Sequence, residues 1–190
     1  MPNHVTNILY LPGQSDLLDR MLNYHGLFDF NNFIKMPEEL ANSRAASFTK
    51  TIDECEDQVI ASLMVGDEDR VLLELERKQM INKYGYPSWY EWAIAHWGTK
   101  WNAYEQERVA DDAVLFLTAW DTPRGVWEAL AKKFPEAKGN VVFVEEFDQF
   151  AGKVLIEEGD AKLLMVTSDL DEIAKLKREI SEELSAELSL

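Results

Sequence analysis

The residues best equipped to bind or react are concentrated in Tyr90-Glu91-Trp92-Ala93-Ile94-Ala95-His96-Trp97-Gly98-Thr99-Lys100-Trp101-Asn102. Read as a helix through Trp97, this run puts Tyr90, Ile94 and Trp97 on one side and Trp89, Trp92 and His96 toward another. Such a helix is aromatic nearly all round and is expected to be wedged between layers. The following Gly98-Thr99-Lys100-Trp101-Asn102 has two readings. In one it rims a pocket with aromatic walls, where Lys100 meets an anion or a partner carboxylate and Asn3 or Trp120 completes the lining. In the other the tryptophans are core, Gly98 caps the helix and the Lys100 stem lies over an indole. Aromatic stripes at helical spacing usually pack, which favours the second.

Other chemistry is harder to assemble. Acid pairs at Asp67-Glu68-Asp69, Asp111-Asp112, Glu145-Glu146 and Glu157-Glu158 offer carboxylates for acid/base work or Mg²⁺. Adjacent acids on a strand point to opposite faces, however, so caps, turns and solvated surface explain them better. His4, His25 and His96 lie far apart in the chain and define no ligand spacing. The sequence holds no Gly-rich phosphate loop, no dinucleotide-binding glycine trio, no His-Glu-x-x-His and no Gly-x-Ser-x-Gly. No catalytic residue, metal or cofactor is therefore assigned.

The elements that must position the aromatic run are legible in outline. Val5 to Leu11 is β-prone and stops at Pro12-Gly13; Ser15 opens a helix with Leu17, Leu18, Met21 and Leu22 on one stripe. Phe28 to Leu40 reads as a short strand or extended pass before Pro37. A small, polar loop follows over 41–50. Thr51 with Glu54 caps a helix, and a second helix runs from about Glu68 through Tyr84 to Gly85, so 51–85 looks like an inserted hairpin. Ser88 with Glu91 starts the aromatic helix. Ala113 to Trp120 is apolar on both faces and belongs at the centre of a sheet. Thr122-Pro123 begins a helix with Val126, Trp127, Leu130 and Phe134 inward. Strands are expected over 141–147, 153–157 and 163–167, with a turn at Phe150-Ala151-Gly152. Ser168 with Asp171 launches a last helix whose Leu170, Ile173, Leu176, Ile180, Leu184 and Leu188 form a seam. That seam either packs on the domain or pairs with a second copy.

The order β-α-(β)-insert-β-α-β-β suits an α+β fold of ferredoxin-like type, an antiparallel sheet with helices on one face. The expected organisation is one domain over 1–168, interrupted by a helical insertion at about 41–85, with a C-terminal helix at 169–190. Six tryptophans and 46% hydrophobic residues supply a core without metals or disulfides, and the single Cys55 fits a reducing cytoplasm. No signal peptide or membrane span is expected. With 35 acids against 19 bases the formal charge is −16, which repels polyphosphates and anionic bilayers; direct nucleic-acid binding and membrane association are not expected.

Four stretches resemble a known family. They are Met1-Pro2-Asn3 with Asn7, Phe30-Asn31-Asn32 through Met36-Pro37-Glu38-Glu39-Leu40, His96-Trp97-Gly98-Thr99-Lys100-Trp101-Asn102, and Thr118-Ala119-Trp120 with Pro123. In these the chain resembles the ferredoxin-like proteins of phages and plasmids named after the plasmid protein YubB, over residues 1–40 and 84–160. Lys35 stands where the pattern has a second proline. The resemblance implies a ferredoxin-like fold and residence on a mobile element, but no activity. The leading expectation is a non-catalytic acidic interaction protein in the bacterial cytoplasm, acting on a basic or nucleic-acid-binding host or phage protein, with nucleic-acid mimicry as one version. Two alternatives stand beside it: a small-molecule-binding protein or enzyme with its pocket at the Trp-Gly-Thr-Lys-Trp motif, and a homo-oligomeric structural component joined through 169–190.

Overall fold

The computed structural model describes residues 3–43 and 68–187. They form an α+β fold around a six-stranded, fully antiparallel sheet, ordered β2-β3-β1-β4-β5-β6. The strands are β1 (His4–Tyr10), β2 (Tyr104–Ala110), β3 (Ala113–Ala119), β4 (Gly139–Glu145), β5 (Ala151–Glu157) and β6 (Asp160–Thr167). The helices are α1 (Ser15–Met21), α2 (Glu38–Ala41), α3 (Glu68–Tyr84), α4 (Trp89–Trp97), α5 (Arg124–Lys133) and α6 (Leu170–Glu187). The chain divides into two compact units, one of residues 1–35 with 96–190 and the other Met36–Ala95.

In the first unit, strand register sorts side chains to two faces. Asn7 pairs with Phe116 on one side and Phe143 on the other, so Val5, Asn7 and Leu9 share a face with Val114, Phe116, Val141 and Phe143. All of these are buried. Against them α5 presents Val126, Trp127 and Leu130, and Trp127 lies 5.8 Å from both Phe116 and Phe28 between ring centroids. Phe28 stacks on Phe116 at 5.0 Å. Helix α1 lies beside the end of α5, where Arg20 sits over Phe134 and pairs with Glu136.

The opposite face carries α6. Ile173 and Leu176 of the expected seam pack on Val142 and Ala151, but Leu170 is exposed, because it is the first residue of the helix and stands just past the end of β6. Of the remaining seam residues, Ile180, Leu184 and Leu188 lie outside the described side chains. The sheet is thus covered on both faces, and the third layer is the element whose location the sequence left open. Its N-cap is Asp169, which accepts from the Asp171 and Glu172 amides, not Ser168.

Several expectations need correction. Phe28 to Leu40 is not a strand: beyond a single bridge from Leu22 to Phe28, it forms a 3₁₀ turn at Phe30–Asn32 and then α2. The Asp29 carboxylate accepts from Asn31 N, closing that turn locally. Strand β2 was not expected at all. Its sequence Tyr-Glu-Gln-Glu-Arg-Val-Ala is polar because it forms one margin of the sheet, and two register shifts break its pairing. Ala151 and Gly152 lie inside β5, so the turn falls over 146–150.

In the second unit, α3 is the expected second helix of the insertion; the first, over 51–65, lies outside the described residues. Lys83 pairs with Glu39 at 2.5 Å. Ser43 accepts from Trp89 N; Ser88 Oγ accepts from Tyr90 N and donates to the Glu91 carboxylate, so Ser88 caps the helix while Glu91 meets its hydroxyl and not its amide. Helix α4 buries Trp92, Ala93 and Trp97, but Ile94 is 40% exposed and Ala95 is exposed. It has one solvent side, which corrects the expectation of burial all round.

Candidate functional site

The residues singled out in sequence gather at one end of the sheet, where β1 and β2 begin and β3 and β4 finish. They divide into an inward set and an outward set. Trp97 is buried, donates its indole N–H to the Ile34 carbonyl at 2.9 Å and meets the Phe30 ring edge-on. Gly98 has φ +86°, and a Cβ there would sit 3.1 Å from the Arg124 amide nitrogen, so the bend after α4 needs glycine. Thr99 is buried and donates its hydroxyl to the Ala119 carbonyl at 2.6 Å. Asn102 accepts from Phe30 N and Ala103 N at 2.9 Å each and donates to Asp29 at 2.8 Å. His96 contributes its carbonyl to a close backbone crossing, 1.9 Å from where a Cβ on Gly125 would stand. These groups hold the loop; their polar atoms are committed to the fold.

Lys100, Trp101 and Trp120 lie nearer the surface. The Lys100 ammonium lies 4.3 Å from the Trp101 ring centroid and 5.0 Å from that of Trp120, a cation held between two indoles. Trp101 is 37% exposed and Trp120 42%. Trp120 also has φ +74°, a left-handed conformation unfavourable to any residue with a Cβ. Its amide donates to the Asn3 carbonyl at 2.9 Å, which fixes it at the strand end.

The patch continues across the sheet end. Trp101 meets Tyr104 edge-on at 6.0 Å, and the Tyr104 hydroxyl lies 2.8 Å from His4 Nδ1. Burial, reinforced by the Glu105 and Glu146 carboxylates, raises the Tyr104 phenol above its ordinary value. Asn3 donates to Glu145 Oε1 at 2.8 Å; the other oxygen of this buried carboxylate accepts from Phe147 N and Gln149 N. Glu145 is therefore a turn organiser, and the turn it holds leaves Phe147 67% exposed. Phe147 was missed in sequence because it reads as the last apolar residue of a strand.

A fixed cation between apolar plates suits a partner carboxylate or aromatic ring. Among the described residues no group of three His, Cys, Asp or Glu side chains converges as a metal site. A cavity of about 460 Å³ lies between the sheet and α6, lined by Thr6, Ile8, Val142, Val144, Glu145, Glu146, Lys177 and Ser181. None of Trp97, Lys100, Trp101, Asn102 or Trp120 lines it. No described helix is long and apolar enough to cross a membrane. Compared with protein-family models, curated proteins and solved structures, the chain gave no match in any of the three.

Proposed function

We propose that this chain is a non-catalytic acidic interaction protein, encoded by a phage or plasmid, that binds a host protein in the bacterial cytoplasm through the Trp101–Lys100–Trp120 patch. The observation that carries the reading is an indole–ammonium–indole stack kept at the surface, with one tryptophan on unfavourable backbone. Folding alone gains little from exposing two indoles, whereas tryptophan is the residue most enriched where binding energy concentrates. The acidic body around it, at −16, steers a basic partner and rejects polyanions. The inward residues of the motif are occupied by structural hydrogen bonds, which weakens the pocket reading at that motif.

The ferredoxin-like assignment belongs to the same proposal and is supported by the β2-β3-β1-β4 strand order, with α1 and α5 in the connections. Membership of the YubB-like family is supported by how its stretches meet: Asn3 with Trp120, Asn7 with Thr118, Phe30 with Asn102, and Thr99 with Ala119.

The test is capture from host lysate with the wild-type chain and the Trp101→Ala/Trp120→Ala variant as parallel baits. A partner retained at low salt by the wild type, lost by the variant and released at roughly 0.5 M salt, where screening shortens to a few ångströms, supports the reading. Equal retention by both baits, or none by either, removes it.

A further inference from the structure

The two margins of the sheet are built differently. Strand β2 exposes Glu105, Glu107 and Arg108 and is broken by two register shifts, the usual means of preventing a further strand from adding. Strand β6, at the other margin, has one shift, a single lysine and no proline. Leu163 is 40%, Leu164 48% and Val166 48% exposed, and Leu170 just beyond is 67% exposed. Among the described residues no strand pairs with its outer side. A row of backbone N–H and C=O groups with apolar side chains above and below is matched in both respects by another extended chain.

The charge around β6 selects which chain. Glu157, Glu158, Asp160, Asp169, Asp171 and Glu172 flank the strand against Lys162 alone in the span 157–172, and all six are exposed. None of the six forms an ion pair among the described residues. A second copy would bring those carboxylates against their own counterparts, a like-charge arrangement that opposes docking. An extended segment alternating basic and apolar residues meets both requirements. We propose that β6 is a strand-addition site for such a basic segment of a partner protein, independent of the tryptophan patch at the sheet end.

The probe is a capped synthetic peptide of alternating lysine and valine, about as long as the eight residues of β6. It is added to isotopically labelled full-length chain and followed by amide chemical shifts. Shifts confined to β5, β6 and the start of α6 are expected, with affinity at least about fivefold weaker when salt rises from roughly 50 to 300 mM. A peptide N-methylated along one edge should not bind, because it lacks the strand donors. Val166→Lys should weaken binding at least about tenfold while its amide shifts outside β5 and β6 stay those of the wild type, and Leu164→Thr, which keeps strand propensity, should still bind. Trp101→Ala/Trp120→Ala should bind the peptide as the wild type does, so failure of the patch reading and failure of this one are separable. The proposal is overturned if β6 amides do not respond, if a glutamate–valine peptide binds equally well, or if the free chain sediments as a dimer with its β6 amides protected.

Discussion

Substituting Trp120 separates the energy of its backbone from that of its indole. At φ +74° every residue with a Cβ pays about 1–2 kcal/mol for left-handed backbone, and glycine does not. Glycine in turn loses about 0.4–1 kcal/mol relative to alanine through the extra freedom of the unfolded chain. The balance makes Trp120→Gly more stable than Trp120→Ala by about 0.8 kcal/mol at the midpoints of those ranges, the reverse of the order at an ordinary strand or helix position. Both variants lose the contact with Lys100, worth about 0.5–1 kcal/mol at an exposed site, so that term cancels in the comparison. The assay is urea unfolding followed by far-ultraviolet circular dichroism, which does not depend on the deleted indole. In a thermal melt followed at the same wavelength, the difference appears for a chain of this size as roughly 2–3 °C in Tm. If the alanine variant equals or exceeds the glycine variant, the backbone at 120 costs nothing and the case for a functionally retained tryptophan falls with it.

The division of the motif into inward and outward residues predicts opposite phenotypes. Asn102→Ala removes hydrogen bonds to Phe30, Ala103 and Asp29 and should cost about 2–4 kcal/mol in urea unfolding, whereas Lys100→Ala should cost no more than about 1 kcal/mol. Gly125→Ala drives a Cβ to 1.9 Å from the His96 carbonyl, a clash of backbone with backbone that should cost at least about 3 kcal/mol or prevent folding, read by soluble yield and Tm. Tyr104 should titrate above 10.0 in an ultraviolet phenolate titration, since burial and neighbouring carboxylates favour its protonated form in the folded chain. Its contribution to stability is complete below the unfolded pKa and fades as pH rises through the folded one. Tyr104→Phe should remove that alkaline component, and an unchanged profile would contradict the assignment.

Much of this fold is local, and the local part was readable from sequence. The Val5–Leu11 and Ala113–Trp120 runs needed only alternation and apolarity to declare strands, and Trp127 and Leu130 needed only helical spacing to declare the buried side of α5. Gly98 could be assigned to the end of α4 because a glycine just past a helical run is the usual way to enter left-handed backbone without steric cost. Strand β2 escaped because this margin strand is mostly polar, and polarity is also how a loop looks. The 3₁₀ turn at Phe30 escaped because Asn102, 72 residues away, supplies the acceptor for its first amide.

The site divides along the same line. Sequence singled out Trp97 through Asn102, with Asn3 and Trp120, as one group, and it set the formal charge of the chain at −16. Only the tertiary structure decided which side chains of that run turn inward and which stand out. That choice is made by Ile34, Ala119, Phe30 and Asn3, residues distant in the chain that offer the carbonyls and amides the motif must satisfy. Whether β6 is open was equally undecidable from its own residues, because an apolar strand is a core strand or a bare margin according to how many neighbours the topology gives it.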